Sequence, residues 1–202
     1  MSRLLAGEVR ILLRGTPLWW WAGVLVLTLV SLVATPASVV PGVLLPPAWI
    51  RPVPIWSRLG TQRHECGVEA LLGAYPAPRL RTVAEWAAGF LLTAVAGAGP
   101  ALRMAAQSDG QGLVHWVCGA LFVPSLALLL GTLSRTHRLF QLVCLPLRYG
   151  ALNGMAPADF MGAVRGPDGR PAGLPPTVLV AGAAVMLAVV LASGAVRRST
   201  RA

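Results

Sequence analysis

Lysine is absent from this chain, acidic residues number only seven, and fewer than one residue in eight is charged. Without lysine there is no G-x-x-x-x-G-K-[ST] loop, so the chain cannot itself hold ATP in the P-loop manner. A Schiff-base lysine is equally excluded. The three cysteines, Cys66, Cys118 and Cys144, are too few and too widely spaced for a disulfide framework and read as small hydrophobes. The acidic residues Glu8, Glu65, Glu69, Glu85, Asp109, Asp159 and Asp168 form no pair inside an apolar run, and no G-x-S-x-G elbow occurs. The chain is therefore not expected to be an enzyme. His64-Glu65-Cys66-Gly67-Val68 begins like the zinc motif H-E-x-x-H but has Val68 where the second imidazole must stand. His115 and His137 lie far apart, so neither a metal nor a cofactor is expected. A cleavable signal peptide is not expected either, because the first apolar run begins late and lacks a small-residue cleavage site.

What the chain does have is arginine and long apolar runs. All seventeen basic residues are Arg, and most sit in short clusters between those runs. Composition is 55% hydrophobic with a mean hydropathy of +0.67. A net charge of +10 would point a soluble protein towards nucleic acid. Here no basic stripe interleaves with exposed aromatics, and flanking Arg residues are the mark of a membrane protein. Pro17–Ala34 and Pro175–Val196 contain no charge. Each is long enough as a helix to cross a hydrocarbon core, which takes about 20 apolar residues.

Four further regions, Ser38–Ser57, Trp86–Leu102, Gly112–Leu133 and Leu139–Ala158, complete a reading of six spans in one domain, residues 1–202. Ser38–Ser57 carries Pro41, Pro46, Pro47, Pro52, Pro54 and Arg51, and charge counting decides in its favour. With six spans and a cytoplasmic N-terminus, twelve Arg residues face the cytoplasm (3, 10, 14, 58, 63, 79, 81, 135, 138, 197, 198 and 201). Three, Arg103, Arg165 and Arg170, face outside. Removing the second span reverses that bias, so the segment is expected to cross as a kinked helix, with both termini cytoplasmic. Leu5, Val9 and Leu12 repeat at helical spacing with Arg on the other faces, which predicts an interfacial helix over residues 1–16. Trp19-Trp20-Trp21 would anchor the first span at the headgroup level. Thr82-Val83-Ala84-Glu85 has the form of a capping box before the third span.

Three features carry functional expectations. In the loop of residues 58–81, Val68, Leu71, Leu72 and Tyr75 share one helical face, which either packs on the bundle's own cytoplasmic end or docks into a partner's groove. Arg148 follows nine uncharged residues and lies ten after Arg138, about 15 Å along a helix. An intramembrane charge is a functional hypothesis, against which stands a guanidinium that simply snorkels into a wet crevice. Asp159 is its partner by sign, but about 16 Å of straight helix would separate them, so pairing needs a break near Gly150–Gly154.

The ordered pieces Trp56-Ser57-Arg58-Leu59-Gly60-Thr61-Gln62-Arg63, Tyr75-Pro76-Ala77-Pro78-Arg79, Ala84–Gly89, Pro124–Gly131, Leu152-Asn153 and Asp159-Phe160-Met161-Gly162 carry a resemblance. The chain resembles the permease subunits of bacterial type 2 (export-type) ATP-binding-cassette transporters. The resemblance implies an all-α, integral membrane six-helix bundle with a surface helix before the first span. It implies a broken fifth helix whose end re-enters from outside, and a coupling helix after the second span. Arg63, Glu65 and Glu69 would lie on or beside the surface that docks the ATP-binding subunit. It implies as partners an ATPase subunit, a second permease subunit and the lipid of the bacterial cell membrane. Similar sequences are often longer, with this region resembling their C-terminal half. The alternatives are therefore a non-transporting anchor or assembly subunit, or a truncated half of a longer permease. Arg148 stands where the resemblance implies an aromatic residue.

Overall fold

The structure is a computed structural model that describes residues 2–14, 16–33, 40–61 and 78–199. Among these residues all regular structure is helical, and the only β-type contact is an isolated antiparallel bridge between Arg165 and Pro171. The helices are α1 (Ser2–Leu13), α2 (Leu18–Val33), α3 (Leu45–Ile50), α4 (Val53–Trp56), α5 (Pro78–Ala96), α6 (Ala98–Ala106), α7 (Gly110–Ser134), α8 (His137–Leu152) and α9 (Pro176–Ser199). A π-helical turn, Val40–Leu44, precedes α3, and a 3-10 turn, Ala156–Ala158, follows α8.

Two helices are long and apolar enough to cross a membrane alone, Gly110–Ser134 and Pro176–Ser193. The number rises to four if α1 with α2, and α5 with α6, each count as one bent span. The expected Ser38–Ser57 helix is instead a chain of short pieces, because Pro52 and Pro54 have no N–H to donate back along the helix. The expected third span bends by 62° at Gly97, where the face of Trp116 packs too close for a Cβ. α8 ends at Leu152, and Gly154 turns the chain with φ +76° into the 3-10 turn.

α7 is the hub. α9 packs along it through Leu179, Ala183 and Val190, and α5, α6 and α8 also lie against it. Small residues on α7 let neighbours approach closely. Gly119 faces the carbonyl of Phe160 and Gly131 faces the carbonyl of Leu59, with no room for a side chain at either. Trp49, Trp56, Phe140 and Phe160 form an aromatic cluster joining α3, α4, α8 and the segment after it, with ring centroids 5.6–6.5 Å apart. The outward surface of α2 and α9 is also apolar. Leu25, Val26, Leu29, Val178, Val185 and Val189 are exposed, and only 17% of the apolar stretch of α9 is buried. An apolar surface of that extent belongs against lipid or another protein.

α1 lies at 104° to α2 and packs on α5, burying Leu12 completely, and Arg81 Nε donates to Glu8 Oε1 at 2.8 Å between them. The Leu5/Val9/Leu12 stripe thus faces protein rather than an open interface. Of the three tryptophans, Trp19 is exposed and Trp21 partly so, whereas Trp20 is buried and donates to the carbonyl of Arg51. Thr82 and Glu85 lie inside α5, which begins at Pro78, so they do not form its capping box.

Charged contacts gather near the two ends of α7, with Arg51 and Arg148 apart from them. Near its C-terminus Arg58 Nη1 donates to the carbonyl of Arg14, Leu59 meets Gly131, and Arg135 caps the helix. At its N-terminus Asp109 accepts from the N–H of Gly112 and pairs with Arg165 at 2.8 Å. Twenty-five residues of α-helix separate the two clusters by about 37 Å.

Candidate functional site

A groove of about 540 Å3 runs between α4 and α8, lined by Val53, Pro54, Ser57, Arg58, His137, Gln141, Cys144, Leu145 and Arg148. The α8 contribution follows from helical spacing. His137, Gln141, Cys144 and Arg148 recur at i, i+4, i+7 and i+11, a single face of the helix. Turned one residue around the same helix, Leu142, Leu145, Tyr149 and Leu152 make an adjacent apolar face, all well exposed. The groove therefore has a polar, cationic wall that passes directly into an apolar one.

Arg148 is half-buried, and its Nη2 donates to the carbonyls of Trp49 at 2.9 Å and Ile50 at 3.2 Å. The reason lies in the other helix. Pro54 cannot donate to the carbonyl of Ile50, nor Pro52 to that of Ala48, so the end of α3 exposes unsatisfied acceptors. Arg148 supplies the bond missing at Ile50 and a second at Trp49, and the Trp20 indole donates to the neighbouring carbonyl of Arg51 at 2.8 Å. The Arg51 guanidinium itself lies against Gly23 of α2, where no side chain would fit.

Asp159 is fully buried and does not pair with Arg148. Its carboxylate accepts three backbone N–H groups, from Met161 at 3.0 Å, Gly162 at 2.9 Å and Val164 at 2.7 Å. Its carbonyl accepts from the N–H of Leu174 at 3.1 Å, which closes the segment 159–174 into a compact loop. Asp159 is the organising residue of this loop, and Arg165 ties the loop to Asp109.

The seven residues expected to dock a partner, Arg63, Glu65, Val68, Glu69, Leu71, Leu72 and Tyr75, lie outside the described residues. The entry to their loop is described. Gly60 has φ +76°, a Cβ placed on it would meet the carbonyl oxygen of Leu128 at 2.8 Å, and its N–H donates to buried Glu85 at 2.6 Å. Thr61 Oγ1 donates back to the carbonyl of Arg58 at 3.1 Å. The chain is thus clamped between α5 and the last turns of α7 immediately before residue 62.

Reading the sequence singled out Arg148 but missed the rest of the groove. The signal was available in the spacing of His137, Gln141, Cys144 and Arg148, which the apolar residues between them obscure. Arg58 could not be found that way, since only the tertiary fold brings α4 to α8. No group of His, Cys, Asp and Glu among the described residues could hold a metal ion. Comparison of the chain with protein-family models, curated proteins and solved structures finds no match in any of the three.

Proposed function

We propose that this chain is a membrane-embedded permease subunit of an ATP-driven exporter, supplying half of a translocation pathway and coupling to a separate ATP-binding subunit. The observation that carries the reading is the clamp at Leu59–Thr61. A loop whose entry is locked to both α5 and the hub helix can pass a displacement at residues 62–77 directly into the apolar bundle. The sorting of charge to the two ends of α7 supports the same topology, with the Arg58/Arg135 end cytoplasmic and the Asp109/Arg165 end outside. On this reading the protein lies in the bacterial cell membrane with both termini in the cytoplasm. Alternating access would be driven by ATP binding and hydrolysis in the partner, and a second permease subunit would complete the pathway.

The test is purification of the tagged full chain from its native host. An ATP-hydrolysing subunit should accompany it in stoichiometric amount, and Leu71→Asp should release that subunit while the chain still inserts. Purification with no ATPase, or unchanged ATPase recovery with Leu71→Asp, refutes the coupling role and leaves the anchor or assembly reading.

A further inference from the structure

The groove between α4 and α8 joins three properties. It is cationic, with Arg58 and Arg148 among its lining residues. No carboxylate among the described residues lines it, and the five described carboxylates are engaged elsewhere. Glu8 binds Arg81, Glu85 binds the N–H of Gly60, Asp109 binds Arg165, Asp159 binds its own loop and Asp168 binds Arg170. Among the described residues the partners of Arg58 and Arg148 are carbonyl oxygens and none is a carboxylate, so no described negative charge offsets either guanidinium. Finally, the cationic wall is continuous with the exposed apolar face Leu142/Leu145/Tyr149/Leu152.

A charge uncompensated in a partly desolvated groove attracts an anion strongly, and Arg is the side chain best suited to phosphate. An apolar face beside it selects against a bare ion and in favour of one with a hydrocarbon tail. Ser57 and Gln141, in the same lining, offer hydrogen bonds to ester or hydroxyl oxygens. We propose that this groove binds an amphiphile with a net anionic phosphomonoester head group, entering sideways from the bilayer. The head lies between Arg58 and Arg148, and the tail lies along Leu145 and Tyr149. The inference rests on the membrane placement of the proposed function but not on its ATPase.

The experiment uses the full chain in a neutral maltoside detergent and three probes: dodecyl phosphate, dodecylphosphocholine and inorganic phosphate. Dodecyl phosphate should bind by calorimetry at least about tenfold more tightly than either of the others, a gap of roughly one charged contact plus the tail. Arg148→Gln should weaken it, but that variant also uncaps α3. Gln141→Glu places a negative charge in the groove without touching either arginine's carbonyl partners, and should weaken dodecyl phosphate about fivefold while sparing dodecylphosphocholine. Equal binding of the two dodecyl compounds, one net anionic and one zwitterionic, would show that the groove does not select a net negative head group. Equal binding of inorganic phosphate would make it a free-anion site, and an unaffected Gln141→Glu would place the ligand elsewhere. Each of these overturns the proposal. A chain that stays soluble without detergent would instead overturn the membrane reading beneath it.

Discussion

Arg148 is held by the carbonyls at the end of α3, where Pro54 takes away a helical donor. Its cost inside an apolar segment is offset by the carbonyls of Trp49 and Ile50, the second of which Pro54 leaves without a helical donor. Arg148→Leu should lower stability by about 1–3 kcal/mol, the usual penalty for orphaned buried acceptors. In a Pro54→Ala background, where residue 54 regains an N–H for the Ile50 carbonyl, the same substitution should cost measurably less. Thermal unfolding of the four proteins of this cycle in detergent gives the coupling, and strict additivity would refute the explanation. Asp159 admits a similar test. Asp159→Asn keeps the shape but presents an N–H donor towards at least one of three N–H groups. A loss of about 1–3 kcal/mol is expected, with the loop 159–174 becoming sensitive to protease added from its own side.

At the scale of elements the decisive contacts are those without room for side chains. Gly60→Ala forces a left-handed backbone on a residue with a Cβ, costing about 1–2 kcal/mol, and crowds the carbonyl of Leu128. Gly131→Val would push the carbonyl of Leu59 off α7. If the proposed coupling to an ATP-binding subunit holds, both should reduce recovery of that subunit from membranes in which the chain itself is fully inserted, and normal recovery would show that the clamp does not transmit. The charge-free runs at residues 17–34 and 175–196 were legible as helices because composition alone decides them. The break at Gly97 was not legible. A lone glycine in an apolar run is compatible with a straight helix, and what bends this one is Trp116, nineteen residues away. The same holds for Glu85, whose local pattern matches a cap but whose partner is Gly60 across the fold. Asp159 could be seen as a polar residue after a break, but its role depends on backbone N–H groups that carry no sequence signature.

For the whole molecule the sequence showed that charge is segregated, and the fold gives that segregation a length, the 25 residues of α7. Reporter fusions at Ala202 and within the Gly166–Gly173 loop should read opposite sides of the membrane. Matching readings would refute the arrangement of six crossings with cytoplasmic termini. Of the six proposed crossings, two are single helices long and apolar enough to span alone and up to four can be counted with bent pairs, a distinction beyond the sequence. Prolines at 52 and 54, and glycines at 97 and 154, turn would-be spans into jointed ones whose angles are set by packing.

The bond between Arg148 and Trp49 spans 99 residues of chain, and so it also has a place in time. A ribosome finishes α3 long before it reaches α8. Until then the bare carbonyls of Trp49 and Ile50 have no guanidinium to meet them, and the proline-rich segment has reason to stay near water or a chaperone rather than settle among its neighbours. Nascent chains arrested after Ser134 should therefore leave residues 45–56 open to labelling at introduced cysteines. Chains arrested far enough beyond Leu152 for α8 to emerge should have them closed, so that the order of synthesis, and not hydropathy alone, decides when the second segment becomes part of the bundle.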